Sequence, residues 1–368
     1  MKFIDICSGI GGFRSALENN GHECLAFAEI DKYAKQSYRA IYDTEGEDEL
    51  DDITAITDEH FRLYRGQCDI ITGGFPCQAF SIAGNRRGFD DTRGTIFFHI
   101  ARAIKEIQPS YVLLENVKGL LSHDKGRTFG TIIQALDELG YVTEWGLFNS
   151  KYWGVPQNRE RVYILVTRKD KFKGPVLFDL LKQQTEVTTR LVDVLENEVD
   201  EKYYLSEEKT KKLTLDHDLG GKLNMYDYNE RDKIHSVNKV SPTLNTMQGG
   251  DRQPKIAVRE ATKQGYAIAE QGDSVNVSYP TSKTRRGRVG KQVAQTLQAG
   301  EVNQGVVMED IRIRKLTPLE CWRLQGFSDE QFYKAKESGV SNSQLYKQSG
   351  NAITISVADA IIKKITEG

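Results

Sequence analysis

A doubly wound α/β domain with a mostly parallel sheet, joined to a second, smaller, loop-rich domain, is the fold class this sequence predicts. Three observations lead to it. Up to Lys173, short apolar runs alternate with segments of helical periodicity, the pattern of strands and helices laid down in turn. Beyond Lys173 the texture changes: residues 185–310 are richer in Lys, Glu, Asn, Gln and Gly, with short irregular apolar runs, as in a small domain with many loops. The chain has 368 residues, more than the roughly 100–150 of a common single domain. The expected division is 1–175 with 345–368 as the large domain and 176–344 as the small one.

The elements follow in order. Phe3–Cys7 reads as a buried strand ending in the turn Ser8-Gly9-Ile10-Gly11-Gly12. Phe13, Ala16 and Leu17 recur at i, i+3 and i+4 on one helical face, and Gly21 suits the stop. A second strand at Cys24–Ala28 leads to Glu29-Ile30-Asp31, where Asp31 can cap a helix with Ala34, Tyr38 and Ile41 on its apolar face. Further strands are expected at Asp69–Thr72, Tyr111–Leu114, Tyr141–Phe148 and Val162–Thr167. In the variable part, V-x-x-T-L occurs twice, giving Thr243-Leu244 and Thr296-Leu297. The densest basic run is Ser282–Lys291, with Lys283, Arg285, Arg286 and Arg288. Ile353, Val357, Ala360, Ile361 and Ile365 mark an amphipathic terminal helix.

Composition narrows the function classes. With 39% hydrophobic and 28% charged residues, disordered and fibrous chains are excluded. A mean hydropathy of −0.51 and the absence of a long apolar run exclude a spanning helix, which needs about 20 apolar residues. Asp5 follows Met1 too closely for a secretory leader, so a soluble protein of the cytoplasm is expected. Net charge of −2 excludes coating of nucleic acid by bulk charge and leaves room for a local basic cleft. The five cysteines (Cys7, Cys24, Cys68, Cys77, Cys321) are dispersed, with no C-x-x-C pair, so no disulfide framework and no metal site is expected.

Four motifs carry chemistry. The glycine turn after the first strand, with Glu29 at the end of the second, suits a ligand with ribose hydroxyls; a tight turn and a surface acid read equally well. Gly73-Gly74-Phe75-Pro76-Cys77-Gln78 sets Cys77 in a loop beyond a strand's carboxyl end. Forming its thiolate at pH 7 costs about 2 kcal/mol from an ordinary pKa near 8.5, and a buried apolar thiol is the bland alternative. Tyr111–Val117 ends in Glu115-Asn116, an acid that can protonate or hydrogen-bond a ring if burial raises its pKa, or simply cap a helix. Gln157-Asn158-Arg159-Glu160-Arg161 precedes a strand, and alternation puts both arginines on one side, facing either one site or solvent.

Together, in this order and spacing, the motifs resemble the cytosine-C5 DNA methyltransferase family over nearly the whole chain. Two further blocks match: Arg314–Phe327 (RKLTPLECWRLQGF) and Gln348–Thr354 (QSGNAIT). The resemblance implies an S-adenosylmethionine-dependent methyltransferase fold with a small target-recognition domain. It also implies double-stranded DNA as partner, a monomer, no metal, and a cytoplasmic, nucleoid-associated enzyme of restriction-modification, orphan or phage type. Cys77 would add to C6 of a flipped-out cytosine, Glu115 would contact N3 and the exocyclic amine, and Arg161 would hold O2. Arg159 would help position the base and favour the thiolate. Gly9, Ile10, Gly11, Gly12 and Phe13 would approach the methionine part of the cofactor and Glu29 the ribose. Ile30, Asp52 and Ile53 would take the adenine, while Pro76 and Asn351 close the pocket. Ser81, Arg86 and Arg87 would meet phosphates from a mobile loop. One of Thr243-Leu244 and Thr296-Leu297 would be the recognition-domain signature, and Lys283, Arg285, Arg286 and Arg288 would track phosphates or read guanine.

Rival readings fit the residues less well. A tRNA cytosine methyltransferase of this kind generally carries a Cys-Phe-Thr signature, which is absent here. A silent DNA-binding relative has no chemical need for Cys77, Glu115, Arg159 and Arg161 together, and a nicotinamide enzyme has no role for GFPCQ or QNRER. One departure bears on the cofactor: Cys7 stands where the family's D-x-F-x-G turn commonly has an aromatic ring. Cys7→Phe is expected to restore that packing and tighten cofactor binding. Titration of S-adenosylmethionine into parent and variant checks this, and equal or tighter binding by the parent overturns it.

Overall fold

The computed structural model describes residues 1–76, 95–184, 188–215, 255–300, 302–308 and 312–367. Its large sheet comprises β1 (Lys2–Ile6), β2 (Glu23–Ala28), β3 (Asp48–Glu49), β4 (Ile70–Gly74), β5 (Tyr111–Val117), β6 (Tyr141–Asn149) and β8 (Glu160–Arg168). The strand order is β3-β2-β1-β4-β5-β8-β6. The pairs from β3 through β5 are parallel, and β5–β8 and β8–β6 are antiparallel. The short β7 (Gln157–Asn158) lies outside this sheet and pairs elsewhere. The doubly wound, mostly parallel expectation therefore holds, and each sequence-predicted strand is found, most with ends shifted by a residue or two.

Alternation along the strands feeds two apolar layers. Phe3, Ile70 and Leu113 face one cluster and Ile4, Ile71, Val112 and Leu114 the other, as a sheet covered on both faces requires. Helices α1 (Gly12–Asn19) and α2 (Lys32–Ile41) lie in the first layer. Asp31 caps α2 by accepting from Tyr33 and Ala34 N–H, and Ala34, Tyr38 and Ile41 are buried as expected. The second layer holds α3 (Asp58–Arg62), α4 (Ile96–Ile107) and α5 (Arg127–Glu138). Gly11, at φ +80, opens α1 where a Cβ would lie 2.3 Å from the Tyr42 ring; only glycine allows that approach.

The smaller unit begins after α6 (Leu177–Lys182) with α7 (Glu207–Leu213). It contains the hairpin β9 (Lys255–Arg259) with β10 (Tyr266–Glu270). Beside it lies a four-stranded sheet of β11 (Ser274–Asn276), β12 (Val289–Gly290), β14 (Gln304–Val307) and β15 (Ile313–Lys315). β13 (Ala294–Gln295) pairs in parallel with β7, joining this unit to the arginine motif. The chain then returns to the large layer through α8 (Pro318–Arg323), α9 (Asp329–Glu337), α10 (Asn342–Asn351) and α11 (Ile355–Glu367). Leu177, Leu180, Trp322, Phe332 and Val340 all belong to the first apolar cluster. The stretch 176–344, which composition assigns to the smaller domain, thus contains helices that pack on the large one. Apolar texture in loops hides this, because α6, α8 and α9 are short and each contributes only a few core side chains.

A buried ion pair stabilises the return. Arg314 donates through both terminal nitrogens to Glu320 at 2.8 and 2.7 Å, and neither side chain is exposed. Glu320 also accepts from Thr317 N–H, completing a capping box at α8, and from Glu196 N–H. With both carboxylate oxygens and both terminal guanidinium nitrogens bonded, the pair offsets part of the desolvation penalty of burial, while Arg314 Nε has no partner among the described residues.

Asp5 sits in the middle of β1, fully buried, accepting from the Thr72 hydroxyl on β4 at 2.9 Å. Its other oxygen has no partner among the described residues. Burial raises its pKa to about 7, against the lowering effect of that hydrogen bond. The folded state then holds a proton that the unfolded state releases above pH 3.8. Between about pH 4 and 7 stability is expected to fall by about 1.4 kcal/mol per unit from this group. Asp5→Asn removes that slope. Urea unfolding of parent and variant across the range checks it, and a pH-independent difference between them overturns it.

Candidate active site

Strand order reverses between β1 and β4, and a pocket of about 460 Å³ opens at their carboxyl ends. This is where open α/β sheets leave a crevice, because their crossovers diverge there. Its wall includes Cys7, Gly9 and Ile10 after β1, Glu29 and Asp31 after β2, and Gly74, Phe75 and Pro76 from β4 onward. Glu115, Asn116 and Val117 come from β5, Arg159 and Arg161 from the arginine motif, and Gly350, Asn351 and Ala352 from the end of α10 and its following turn. Glycine motif, acid motif, arginine motif and C-terminal block converge on one cavity.

Glu29 is held at the rim by two backbone donors, Gly9 N–H and Asp31 N–H, each at 2.8 Å. Asn116 donates to Phe75 O at 2.8 Å, fixing the backbone two residues before Cys77. Glu115 is buried, and Arg161 Nε lies 2.9 Å from its Oε1. The contact lacks hydrogen-bond alignment, so that oxygen keeps an open acceptor. Burial raises the Glu115 pKa, partly offset by Arg161 and Arg159. A carboxyl so placed keeps its proton more readily than an exposed one and can donate it to a ring.

Arg159 is 1% exposed. Its Nη2 donates to Gly350 O at 3.1 Å and Ala352 O at 2.6 Å, while Nε and Nη1 have no acceptor among the described residues. Burial, with Arg161 beside it, lowers its pKa to about 9. Both arginines line the cavity, as alternation predicts, yet their partners differ.

The other expected residues divide. Gly9, Ile10, Glu29, Pro76 and Asn351 line the pocket. Gly11, Gly12 and Phe13 instead form the start of α1, with Gly12 against Ile353 and Phe13 in the core. Ile30 is 71% exposed. Asp52 caps a short turn by accepting from Thr54 N–H, and Ile53 is in the second core; neither lines the cavity. Cys77, Ser81, Arg86, Arg87, Thr243 and Leu244 lie outside the described residues. Thr296 donates to Asn158 O at 3.0 Å and Leu297 is buried in the smaller unit's core, so this Thr-Leu pair abuts the arginine motif.

The basic run also divides. Lys283 and Arg286 are exposed, with Arg286 donating to Ala261 O at 2.9 Å, and Arg285 lies over the Tyr279 ring. Arg288, expected at a nucleic-acid surface, is buried: it donates to Asn276 O, Ser278 O and Tyr279 O at 2.7–2.9 Å. It is an internal strut, its fork matched to three carbonyls. Gly287, Val289 and Lys291 border a second cavity of about 730 Å³, shared with Lys151, Asn158 and Arg190. Sequence reasoning missed Asp31, Ala299, Gln344 and Lys347 in the first cavity. The last two neighbour the QSGNAIT block, whose first residue, Gln348, also lines the cavity; that block is the one signal that pointed to them. Among the described residues no group of three or more His, Cys, Asp or Glu is arranged to hold a metal, and no helix is long and apolar enough to cross a membrane.

Comparison with known proteins agrees with this geometry. The chain is 36% identical to the orphan methyltransferase M.SPRI of Bacillus phage SPR, over 99% of this chain and 97% of that protein. It is 35% identical to the type II methyltransferase M.SsoII of Shigella sonnei, over 99% of this chain and 79% of that one. Among solved structures, the Dnmt2 methyltransferase of S. pombe superposes with a TM-score of 0.64 at 20% identity, covering 100% of this chain and 98% of that one; this likeness speaks for the fold. The family model for C-5 cytosine-specific DNA methylase matches residues 1–367. With that match spanning both units and every motif that meets at the cavity, the chain belongs to the C-5 cytosine-specific DNA methylase family.

Proposed function

We propose that this chain transfers a methyl group from S-adenosylmethionine to carbon 5 of a cytosine flipped out of a short specific duplex DNA sequence, through a covalent adduct between Cys77 and C6. The observation that carries this reading is the contact of Arg161 with Glu115 in the cavity whose wall includes Pro76, the residue before Cys77. An acid and a cation from two distant motifs meet there, and the residue that precedes the proposed nucleophile lines the same wall.

The cavity's residues fit S-adenosylmethionine. Glu29 is oriented by two N–H donors, and each carboxylate oxygen retains a lone pair for a ribose hydroxyl. Gly9, at φ +57, has nothing within 4 Å of where a Cβ would stand, so backbone and ligand can approach closely. Gly9, Ile10, Pro76 and Asn351 would complete the enclosure, and exposed Ile30 offers an apolar surface to the adenine. When bound, the cofactor supplies an electrophilic methyl on a sulfonium leaving group.

The chain's residues do the rest. The Cys77 thiolate forms a bond to C6, and the displaced electron pair moves through the ring to N3 and O2. Glu115, with its raised pKa, gives a proton to N3, and Arg161 stabilises O2. C5 becomes enamine-like and takes the methyl. Loss of the C5 proton to a base then expels the thiolate, and N3 returns its proton to Glu115 as the aromatic ring is restored. Flipping the base costs a few kcal/mol, and the loop with Ser81, Arg86 and Arg87 is proposed to close over it and meet phosphates.

We take the recognition domain to be about residues 188–316, with Thr296-Leu297 as its signature because that pair bonds to the arginine motif. Lys283, Arg285 and Arg286 are its proposed phosphate contacts. The relatives' names, orphan and type II methyltransferases of phage and bacteria, support a role in restriction-modification or in orphan DNA methylation.

Incubation with S-adenosylmethionine and mixed-sequence unmethylated DNA, then base-resolution mapping, is expected to show 5-methylcytosine in one short sequence and none with Cys77→Ser. Absence of marks from the parent overturns the reading. Replacing Lys283, Arg285 and Arg286 by Gln is expected to weaken DNA binding and reduce the salt slope by about 0.9 for each phosphate no longer neutralised. Arg288→Gln is expected instead to lower thermal stability. Unchanged affinity and slope in the triple variant refute the phosphate role.

A further inference from the structure

Two arginines enter the same cavity, but only one touches the acid. Arg161 pairs with Glu115. Arg159 turns the other way and donates to the carbonyls on either side of Asn351, Gly350 O and Ala352 O. The backbone there has little room to shift on its far side. A Cβ on Gly350 would lie 2.6 Å from Ala299 N and 2.7 Å from Gln298 C, so the turn is pressed between the Arg159 fork and the segment that follows Thr296-Leu297. The guanidinium is buried, where a charge-assisted hydrogen bond is strong and costly to lose.

We infer that Arg159 is a positioning residue for the cofactor: it clamps the Gly350–Ala352 turn and so sets where Asn351 stands in the pocket wall. The two arginines of one motif divide the labour, Arg161 serving the base and Arg159 the cofactor-closing turn. The inference rests on the proposed reading of this cavity as the S-adenosylmethionine site. The clamp has a structural consequence that does not. Ala352 N–H donates to Gln348 O and Ile355 N–H to Gln325 O, both at 2.9 Å, and these amides report whether the turn is held.

The test uses the full chain without DNA. Calorimetric titration of S-adenosylhomocysteine is expected to show about ten- to a hundredfold weaker binding in Arg159→Lys and a change under about threefold in Arg161→Lys. In the Asn351→Ala background, Arg159→Lys is expected to add little, because its effect runs through Asn351. Independent, multiplying losses mean a merely structural role and overturn the proposal. With DNA present, Arg159→Lys raises the KM for S-adenosylmethionine with kcat largely kept, and Arg161→Lys does the reverse. Amide exchange at Ala352 and Ile355 is expected to quicken in Arg159→Lys; affinity within twofold of the parent and unchanged exchange refute the clamp. Should the variant not fold, side-chain NMR of the parent decides. Two carbonyl acceptors slow rotation about Cζ–Nη2 and separate its proton signals, and a single averaged signal overturns the proposal. If the parent does not bind S-adenosylhomocysteine, the cofactor reading fails while exchange and NMR still judge the clamp.

Discussion

The handedness of the crossover between parallel strands is the constraint from which the rest of this molecule follows. A strand returning to its own sheet through a helix does so right-handedly. A sheet that grows from β1 toward β2 and then restarts at β4 must therefore put helices on opposite faces. The loops after β1 and β4 diverge, and the space between them is the cavity. Gly9, Glu29 and Pro76 reach it because each follows the carboxyl end of a strand on one side or other of that reversal.

Into this crevice the chain places charges that an apolar core would not tolerate. Glu115, Arg159 and Arg161 are each at least partly withdrawn from water; burial raises the pKa of Glu115 and lowers that of Arg159, and the opposite charges offset part of each shift. Several of their polar atoms find no partner among the described residues. An open donor or acceptor in a buried site costs stability, and such costs gather where a ligand is to supply the missing partner. Elsewhere the terminal nitrogens of the buried arginines are matched. Arg14 is bound by Glu18 and Glu47, Arg288 by three carbonyls, and Arg314 by both oxygens of Glu320. The contrast separates cations that hold the fold from those that face the cavity.

The smaller unit is tied to the large one by short, specific contacts. The β13–β7 pairing, the Thr296 bond to Asn158 and the close approach of Gly350 to Ala299 bring the segment around Thr296-Leu297 to the arginine motif and the C-terminal turn. The elements proposed to serve recognition, base and cofactor meet within a few residues, so displacement of one is felt by the others.

Much of this was legible in the residues. The alternation of apolar runs and helical faces in the first half specified the strands and their order of appearance, since a strand's period of two and a helix's of 3.6 are local properties. Motifs of unusual composition, GFPCQ, ENV and QNRER, pointed to the proposed chemistry because few roles need a thiol, an acid and two arginines at such positions. Tertiary structure alone decided which polar side chains line the cavity and which are struts. Arg288 stands among basic neighbours that are exposed, yet it is buried, and Asp52 and Phe13 match motif positions while lying outside the cavity's lining. The same holds for α6, α8 and α9, whose few apolar residues join the large core. Burial and partner choice depend on contacts between segments far apart in sequence, such as Arg159 with Gly350 and Ala352, and no local pattern encodes them.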